Sequence, residues 1–592
     1  MRRRSIGVNF NEVGIASIRV WTPHAKRVLL RLTNRKADLP LEELGYGYWE
    51  LITGQLKPGD NYQFVLDDKT LPDPASLFQP EGVHGPSQAV DLKDFTWTDN
   101  KWKNPEQDKY IIYEIHTGTF TPEGTFAGIE QKLDHLVSLG ITAIEIMPVA
   151  QFPGERNWGY DGVFPFAVQN TYGGAKGLMK LVDACHHKGL AVILDVVYNH
   201  IGPEGNYFNE FGAYFTEKYK TPWGNAINFD DAWSDAVRGY YTENALMWFR
   251  DFHIDALRMD AVHAIKDFSA KHILQEIKEA VNRLIEQTGK QHYLIAELDL
   301  NDSRFINPID KGGFGIDGQW VDEFHHALRV TAGGERDGYY SDFNGIKDLA
   351  KSYRDAYVYD GVYSPQRLKT FGNKVEDNPG QQFVVFSQNH DQVGNRLLGE
   401  RSSQLFSFEI QKLMAAAVMV SPFLPLIFMG EEWSTQSPFQ YFVSHSDPEL
   451  VEAVRTGRKE EFTAFHSKGE APDPQAEETF ERSKLNWDDI NTVMLNYYKT
   501  LIQLRKQLPA LSNLNRKNLT VSYDEDRQTL LLRRWQDEQK VCCLMNFSKD
   551  NQPVDFDENK GLKQVFNSAD QKWDGPGVVN SLQPQSIIIY TN

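Results

Sequence analysis

The chain has 592 residues, about four times a common domain length of ~150 residues, which predicts two to four domains. Hydrophobic residues make up 41% and charged residues 24%, an ordinary globular composition that excludes a largely disordered chain. Acidic residues number 81 and basic residues 62, so the formal net charge is −19. This balance argues against nucleic acid or an anionic membrane surface as the main partner.

The cysteines and the apolar runs bear on the cellular compartment and on membrane insertion. Cys185, Cys542 and Cys543 cannot form a disulfide framework, which predicts reduced structural thiols in a cytoplasmic protein. No run approaches ~18 uninterrupted apolar residues, so we expect no membrane span. Neither a compact His/Cys ligand set nor an EF-hand loop is evident, so we expect no metal and no cofactor. No obligate protein partner is predicted.

The first ~95 residues consist of short β-rich runs separated by turn signals. Short strands at hairpin-like spacing are typical of a β-sandwich, so we predict one over residues 1–95, followed by a polar linker. The runs are Ile18–Trp21, Val28–Leu32, Trp49–Ile52 and Tyr62–Leu66.

From Tyr110 onward, near-continuous apolar runs alternate with amphipathic stretches. Such runs are typical of parallel strands buried on both faces, and the intervening segments carry helical spacing. Eight βα units over ~400 residues predict a (β/α)₈ barrel with insertions at 104–512. A doubly wound open sheet is the alternative, and the lack of a Gly-rich phosphate fingerprint after an early strand disfavours it. The eight candidate strands are Tyr110–Gly118, Ala143–Ala150, Ala191–His200, Ile254–Ala261, Tyr293–Leu300, Gly318–Phe324, Phe383–Asp391 and Leu426–Trp433.

Helices are predicted between and after these strands, and the chain ends in further β structure. The last predicted helix precedes the runs Leu530–Trp535, Val541–Met545 and Ser586–Tyr590, which indicate a small C-terminal β domain at 513–592. The predicted helices are Ile129–Leu139, Ala175–Lys188, Ala236–Phe252, Phe268–Gln287 and Tyr497–Gln507.

Polar residues collect where the candidate strands end. A single Asp near a strand end is usually a cap or turn residue, but four such endings are harder to dismiss. In a (β/α)₈ barrel the carboxyl ends of the strands carry the active site. The residues concerned are Asp195, Asn199 and His200 after strand three, Arg258 and Asp260 on strand four, Glu297 after strand five, and His390 and Asp391 after strand seven.

Glycoside cleavage requires two carboxyl groups, one protonated and one ionised. Arg258 and Asp260 lie two residues apart and therefore face the same way, so the guanidinium should keep Asp260 ionised, as a nucleophile requires. Glu297 follows the apolar run 294–296, and its desolvation should raise its pKa, as a general acid requires. We expect His200 and His390 to donate hydrogen bonds to sugar hydroxyls. Asp391 could bind hydroxyls beside the reacting carbon and support an oxocarbenium-like transition state.

These residues together carry a resemblance to the α-amylase clan of glycoside hydrolases. The resemblance implies a retaining mechanism, with Asp260 as nucleophile, Glu297 as acid/base and Asp391 as transition-state stabiliser. A retaining pair should lie about 5–5.5 Å apart. Tyr160 resembles the clan's aromatic platform beneath the cleaved sugar. The motifs are Asp195-x-x-x-Asn199-His200, Arg258-x-Asp260, Glu297 and His390-Asp391, with Asn157-Trp158-Gly159-Tyr160-Asp161 for the platform.

A finer resemblance, over nearly the whole chain, is to the maltooligosyltrehalose trehalohydrolase family. It implies hydrolysis of the α-1,4 bond next to a terminal trehalose unit, with maltooligosyl trehalose and related α-glucans as substrates and partners. It also implies that the sandwich resembles a carbohydrate-binding-like module. The motifs are Tyr113–Gly124, Asn199–Tyr207, Asp260–Ile265, Asp322–Leu328, Met429–Trp433 and Arg482–Leu485.

The substrate-binding candidates form a wider set than the three carboxylates. Those after strand six are either subsite residues or scaffold of their own loop. The set is Arg258, His200, His390, Tyr160, Asp195, Asn199, Glu323, His325 and His326.

Leu298 departs from the family pattern, which has a small polar residue directly after the acid/base. The departure concerns a detail of a subsite and leaves the catalytic set unchanged. Two alternative functions remain open: a glycogen branching or debranching enzyme of the same clan, and a non-catalytic glucan-binding protein. The intact set of Asp260, Glu297 and Asp391 argues against the second.

Overall fold

The computed structural model describes residues 4–35, 37–464, 471–554, 561–577 and 581–592, with the backbone alone at 461–464. Residues 1–3 and 36 of the predicted sandwich therefore lie outside the described residues. Nine short strands form the N-terminal region. They are β1 (Gly7–Phe10), β2 (Ala16–Trp21), β3 (Val28–Leu32), β4 (Ala37–Pro40), β5 (Glu42–Gly45), β6 (Tyr48–Thr53), β7 (Asn61–Leu66), β8 (Lys69–Leu71) and β9 (Ser87–Gln88).

These strands form two antiparallel sheets, which confirms the predicted sandwich. One sheet has the order β1-β2-β6-β5 and the other β4-β3-β7-β8, with β9 paired to β7. Burial alternates along β3, where Val28, Leu30 and Leu32 point into the core and their neighbours are partly exposed. Inward residues of both sheets thus form one apolar layer between them.

Fourteen strands follow, and eight of them close into a parallel barrel in the order β10-β11-β14-β17-β18-β19-β22-β23. This confirms the (β/α)₈ fold and excludes the open sheet. The remaining six form hairpins in the loops. The fourteen are β10 (Ile112–Ile115), β11 (Ala143–Ile146), β12 (Ala150–Gln151), β13 (Phe164–Val168), β14 (Ala191–Val196), β15 (Phe215–Thr221), β16 (Gly224–Ile227), β17 (Ala256–Met259), β18 (Tyr293–Ala296), β19 (Gly318–Trp320), β20 (Val362–Ser364), β21 (Lys369–Phe371), β22 (Phe383–Phe386) and β23 (Leu424–Phe428).

Every residue of the eight barrel strands is buried. One set of side chains, including Ile112, Ile193 and Ile295, fills the lower barrel, while the alternate set packs against the helices. The eight predicted strands coincide with these eight. Each barrel strand, however, ends two to five residues before its predicted end.

In the part of the chain that the structure describes, fifteen α-helices surround the barrel and its loops. They are α1 (Thr117–Phe120), α2 (Phe126–Leu139), α3 (Gly174–His187), α4 (Phe208–Phe211), α5 (Ser234–Arg250), α6 (Ile273–Thr288), α7 (Asp322–Thr331), α8 (Ile346–Asp355), α9 (His390–Gly394), α10 (Ser402–Leu405), α11 (Phe408–Met419), α12 (Pro448–Ala464), α13 (Glu477–Arg482), α14 (Thr492–Gln507) and α15 (Pro509–Ser512).

Two predicted boundaries are wrong because a helix begins at another residue. The helix expected from Phe268 begins at Ile273, because the His272 side chain accepts a bond from the Leu274 N–H and caps it. Asp322 begins helix α7, whereas the sequence placed it inside strand six.

The C-terminal region is a five-stranded antiparallel sheet of order β24-β25-β26-β28-β27. It docks on the barrel through a buried cation: Arg534 donates to the carbonyls of Val420 and Ser421 at 2.9 Å each. No helix in the described residues is long and apolar enough to cross a membrane. The strands are β24 (Leu519–Asp524), β25 (Thr529–Gln536), β26 (Gln539–Asn546), β27 (Lys563–Asn567) and β28 (Ser586–Thr591).

Candidate active site

The carboxyl ends of the barrel strands bring the predicted polar residues together. Asp195 on β14 and Arg258 on β17 are register partners on neighbouring strands. Asp260 directly follows β17, and its N–H donates to the Val196 carbonyl at 3.0 Å. Glu297 directly follows β18, and its N–H donates to the Met259 carbonyl at 2.9 Å. The ladder therefore sets Asp195, Asp260 and Glu297 side by side.

Arg258 connects these acidic groups. Its side chain is fully buried, its Nη1 donates to Asp195 Oδ2 and Asp260 Oδ1 at 2.8 Å each, and its guanidinium lies 4.4 Å from the Trp320 ring centre. Asn199 Nδ2 donates to the other oxygen of Asp260, Oδ2, at 2.8 Å. Both oxygens of Asp260 thus accept hydrogen bonds from buried side-chain donors.

Glu297 has a different environment. Its Oε2 accepts a hydrogen bond from the Ala261 N–H at 2.6 Å and lies 3.9 Å from Arg258 Nη2. Burial raises the pKa of Glu297 to about 8, with Arg258 opposing and Asp260 adding to the rise. Ala261, which follows Asp260, adopts a left-handed backbone conformation (φ 39°). Asp260 and Glu297 thus flank a single guanidinium, and burial disfavours the charged form of Glu297.

Tyr160 closes one side of the site. Its hydroxyl lies 2.7 Å from Asp195 Oδ2 and 2.8 Å from His390 Nε2, and its ring stacks on His390 with centroids 5.3 Å apart. Burial raises the pKa of Asp195 to about 7, against the attraction of Arg258. On its other edge His390 bonds to Glu114 of β10, which the sequence did not predict as a site residue. A lone carboxylate in an apolar strand was the available signal.

Asp391 lies in the first turn of α9, whose N-terminus is capped by the Asn389 side chain. Its side chain is 44% exposed, the most open of the three predicted catalytic carboxylates, and its Oδ1 lies 3.5 Å from His390 Nε2. Asp322 is a second residue that the sequence did not select. Burial, and then the Asp391 charge, raise the pKa of Asp322 to about 7. Among Asp260, Glu297 and Asp391, the carboxyl group of Asp391 is therefore the most accessible to a ligand in the cleft.

His200 lies against an exposed aromatic side chain that the sequence also missed. The ring of Trp223, in the turn of the β15–β16 hairpin, stacks on His200 at 4.2 Å with planes 4° apart, and Trp223 is 48% exposed. His200 Nε2 lies 2.9 Å from the Tyr160 carbonyl and Nδ1 contacts Asn199. Both ring nitrogens of His200 and of His390 already have protein partners, so a bond to a sugar would compete with these.

Two of the candidates after strand six, His325 and Glu323, are held by contacts within the protein, and their roles in substrate binding stay predictions. His325 is buried, with Nδ1 2.6 Å from the Ser387 carbonyl and Nε2 3.0 Å from the Tyr340 hydroxyl. Glu323 is also buried and accepts bonds from Asn301 Nδ2 at 2.6 Å and the Tyr359 N–H at 3.1 Å. Both side chains hold the loop together, because α7 begins at Asp322 and turns them inward.

His326, which follows His325, is only partly buried and lines a narrow cavity of about 20 Å³ beside Glu297. Leu298 lies on the same cavity wall and is itself buried, which explains why an apolar residue is accommodated there. Asp299, on this wall, forms an ion pair with Arg367. The cavity therefore combines apolar, aromatic and charged groups next to Glu297.

Within the described residues, no cluster of three or more His, Cys, Asp or Glu side chains is arranged to hold a metal ion. The site brings together the carboxyl groups of Asp260, Glu297 and Asp391 and the aromatic ring of Tyr160 at the mouth of a (β/α)₈ barrel.

Comparison with known proteins agrees with this chemistry. Residues 93–224 match the alpha-amylase catalytic-domain family, so the fold and site are those of a glycoside hydrolase with an α-amylase-type barrel. Malto-oligosyltrehalose trehalohydrolase from Saccharolobus solfataricus is 50% identical over 504 residues, covering 85% of this chain and 87% of that protein. The enzyme of the same name from Rhizobium sp. strain M-11 is 41% identical over 560 residues, covering 92% of each chain.

The chain belongs to the malto-oligosyltrehalose trehalohydrolase family. A solved structure from Salmonella typhimurium, described as a candidate alpha amylase, is 37% identical with a TM-score of 0.91 and covers 100% of both chains. The whole architecture, sandwich and C-terminal sheet included, therefore recurs in a solved structure.

Proposed function

We propose that this chain hydrolyses the α-1,4-glucosidic bond next to the terminal trehalose unit of maltooligosyl trehalose, with retention at the cleaved carbon. The products are trehalose and a maltooligosaccharide. The observation that carries the chemistry is the pair of carboxyl groups of Asp260 and Glu297 beside Arg258, together with the burial that raises the pKa of Glu297. The name shared by relatives at 40–50% identity supports the choice of substrate.

Asp260 acts as the nucleophile. Its carboxylate attacks the anomeric carbon and forms a glycosyl-enzyme ester as the bond to the trehalose oxygen breaks. The hydrogen bonds from Arg258 and Asn199 orient the two carboxylate oxygens of Asp260 for the attack. The proposal includes a separation of about 5–5.5 Å between the two carboxyl groups, as retaining enzymes require.

Glu297 acts first as the acid and then as the base. Its Oε2 accepts from the Ala261 N–H, so the transferable proton is assigned to Oε1. That proton passes to the glycosidic oxygen, and trehalose leaves. The resulting carboxylate then takes a proton from water, which attacks the ester, frees Asp260 and gives the α-anomer of the maltooligosaccharide.

The remaining site residues are proposed to hold the sugar. Asp391 is the open carboxylate that binds hydroxyls beside the reacting carbon, and the Tyr160 ring lies beneath that sugar. Trp223 offers an exposed aromatic face at the rim, a surface on which a pyranose ring stacks. His326 is proposed to contact the leaving trehalose. Asp195, Asn199, His200 and His390 are proposed to position these groups.

The domain assignment is part of the proposal: a sandwich at 1–95 as a carbohydrate-binding-like module, a barrel at 104–512 and a β domain at 513–592. The sheets lie inside these ranges. Residues 465–470, 555–560 and 578–580 of the last two ranges lie outside the described residues. A cytoplasmic location stays a prediction from the cysteine usage.

The test compares two substrates of equal length, maltotriosyl trehalose and maltopentaose, with products separated by chromatography. We expect trehalose and maltotriose in equal amounts from the first and much slower cleavage of the second. A branched glucan with the same enzyme tests the branching and debranching alternative. Cleavage or synthesis of branch points without trehalose release would overturn the proposed function, and binding without any product would favour a glucan-binding protein.

A further inference from the structure

Glu114 is a carboxylate inside the barrel with no role in the proposed reaction. It lies in β10, where all four residues are buried, and its side chain is 1% exposed. Its two oxygens bind one residue: Oε2 accepts from the His390 backbone N–H at 3.0 Å, and Oε1 bonds to His390 Nδ1 at 2.5 Å. Because β10 and β22 are not neighbours in the barrel, this contact spans its interior.

With Asp195 and Glu114 both ionised, the hydrogen-bond partners of His390 require a positive charge on its ring. Tyr160 has a single hydroxyl proton, which it donates to Asp195 Oδ2, so its oxygen accepts from His390 Nε2–H. The Glu114 carboxylate can only accept, so Nδ1 carries a proton as well. With protons on both nitrogens, His390 is an imidazolium, and Glu114 is its buried counter-ion.

Burial favours neutral His390, but the charges of Asp391 and Glu114 outweigh it and raise the pKa of His390 to about 9. Arg258 opposes that rise. Within the described residues, the titratable and charged groups that face His390 come from several elements around the barrel. They are Glu114 on β10, Glu145 on β11, His116 before α1, Tyr160 in the loop after β12, Asp195 on β14, Arg258 on β17 and Asp391 on α9.

The imidazolium touches two groups that the proposed reaction uses. Its ring stacks on Tyr160, the proposed platform, and its Nε2 lies 3.5 Å from Asp391 Oδ1. We propose that Glu114 is a positioning residue that keeps His390 positively charged, and through His390 holds the Tyr160 ring and the Asp391 carboxylate in place. The inference deepens the proposed function and rests on it for the roles of Tyr160 and Asp391.

Glu114→Gln tests the counter-ion with little change of shape. A glutamine has one acceptor for the two His390 protons that Glu114 binds, and deprotonation of Nδ1 resolves the conflict because the amide NH₂ then donates to it. At pH 8 we expect His390 to be neutral in Glu114→Gln. The kcat of this variant should be about 10- to 100-fold below that of wild type, while its KM should change less than about threefold. Below pH 6 the imidazolium re-forms, and kcat should recover to within about threefold of wild type.

The direct readout is ¹⁵N NMR of protein labelled at histidine, with the His390 signals assigned by their loss in His390→Asn. At pH 8 wild type should give imidazolium shifts, and Glu114→Gln neutral ones. Glu114→Asp, which keeps the charge, should keep the imidazolium. Glu145→Gln is the matched control, because Glu145 is the register partner of Glu114 on β11, is equally buried, and has no hydrogen bond to His390.

An imidazolium that persists at pH 8 in Glu114→Gln, or a neutral His390 in wild type, would overturn the inference. So would a kcat–pH profile of Glu114→Gln parallel to those of wild type and Glu145→Gln, since a merely structural role predicts a uniform loss. Failure of the proposed function is distinguishable: wild type would release no trehalose, while the NMR experiment would still report the charge of His390.

Discussion

The protonation of Glu297 is the feature of the site with the clearest consequence for activity. A pKa of about 8, against 4.5 for an unperturbed carboxyl, means that burial disfavours the carboxylate relative to the acid by about 5 kcal/mol. At pH 7 the acid form should therefore predominate about tenfold. Because the acid is the active form in the first step, kcat/KM should fall about tenfold per pH unit above about pH 8.

Glu297→Gln removes the proton donor while keeping the acceptor for the Ala261 N–H. With maltooligosyl trehalose, whose leaving group requires a proton, we expect kcat/KM to fall about 10²–10⁴-fold, or about 3–5 kcal/mol of transition-state stabilisation. With a maltooligosyl α-fluoride, whose leaving group requires none, formation of the glycosyl-enzyme should stay within about tenfold of wild type. In Glu297→Gln, the rate of glycosyl-enzyme formation from the fluoride should no longer fall at high pH.

The assay is pre-steady-state kinetics with both substrates between pH 5 and 10. Release of fluoride reports glycosyl-enzyme formation, and release of trehalose reports the full reaction. The reasoning would be refuted by a basic limb that persists in Glu297→Gln with the fluoride. Equal losses on the two substrates would also refute it, because a structural defect does not distinguish leaving groups.

Three further predictions concern other parts of the molecule. Asp260→Asn should lower kcat by at least about 10⁴-fold while calorimetry still detects binding of maltooligosyl trehalose. Trp223→Ala should raise KM about tenfold with little change in kcat. The substitution removes the aromatic face at the rim, and stacking of a sugar ring on that face should contribute about 1–1.5 kcal/mol to binding. Asp99→Asn should lower the free energy of unfolding by about 3 kcal/mol at pH 6, because Asp99 accepts buried bonds at 2.8 Å from His186 and His253. Burial opposes the charge on His186, yet its hydrogen bonds to Asp255 and Asp99 raise its pKa above the ordinary 6.5. Denaturant titrations should therefore show the loss of stability in Asp99→Asn shrinking as the pH rises through this raised pKa of His186.

The barrel and the order of its catalytic residues were predictable because both leave local signals. A strand buried on both faces is apolar throughout, as Ile112–Ile115 and Phe383–Phe386 illustrate, apart from the single polar residue Glu114. The polar residues that follow each strand mark the end of the barrel. The predicted strands ran too far because those residues have left the sheet, and Asp322 in fact begins a helix.

The network beneath the site was not predictable, because it depends on contacts between residues far apart in the chain. Glu114 is marked locally as a lone carboxylate in an apolar strand, but nothing in the sequence around it indicates that its partner is His390, 276 positions away. The contacts of His325 were not predictable either, because the start of α7 turns its ring toward Ser387 and Tyr340, which follow it by 62 and 15 positions. Trp223 lies in a hairpin turn, whose position over His200 only the fold determines.

The central claim is retaining hydrolysis by Asp260 and Glu297 at the bond that joins a maltooligosaccharide to trehalose. Proton NMR during the first minutes of reaction with maltotriosyl trehalose tests it most directly, because it follows trehalose and the anomeric protons of maltotriose together. The account predicts equal amounts of trehalose and maltotriose, with maltotriose appearing first as the α-anomer and reaching its equilibrium mixture only later. Initial appearance of the β-anomer, or consumption of substrate without trehalose, would contradict it.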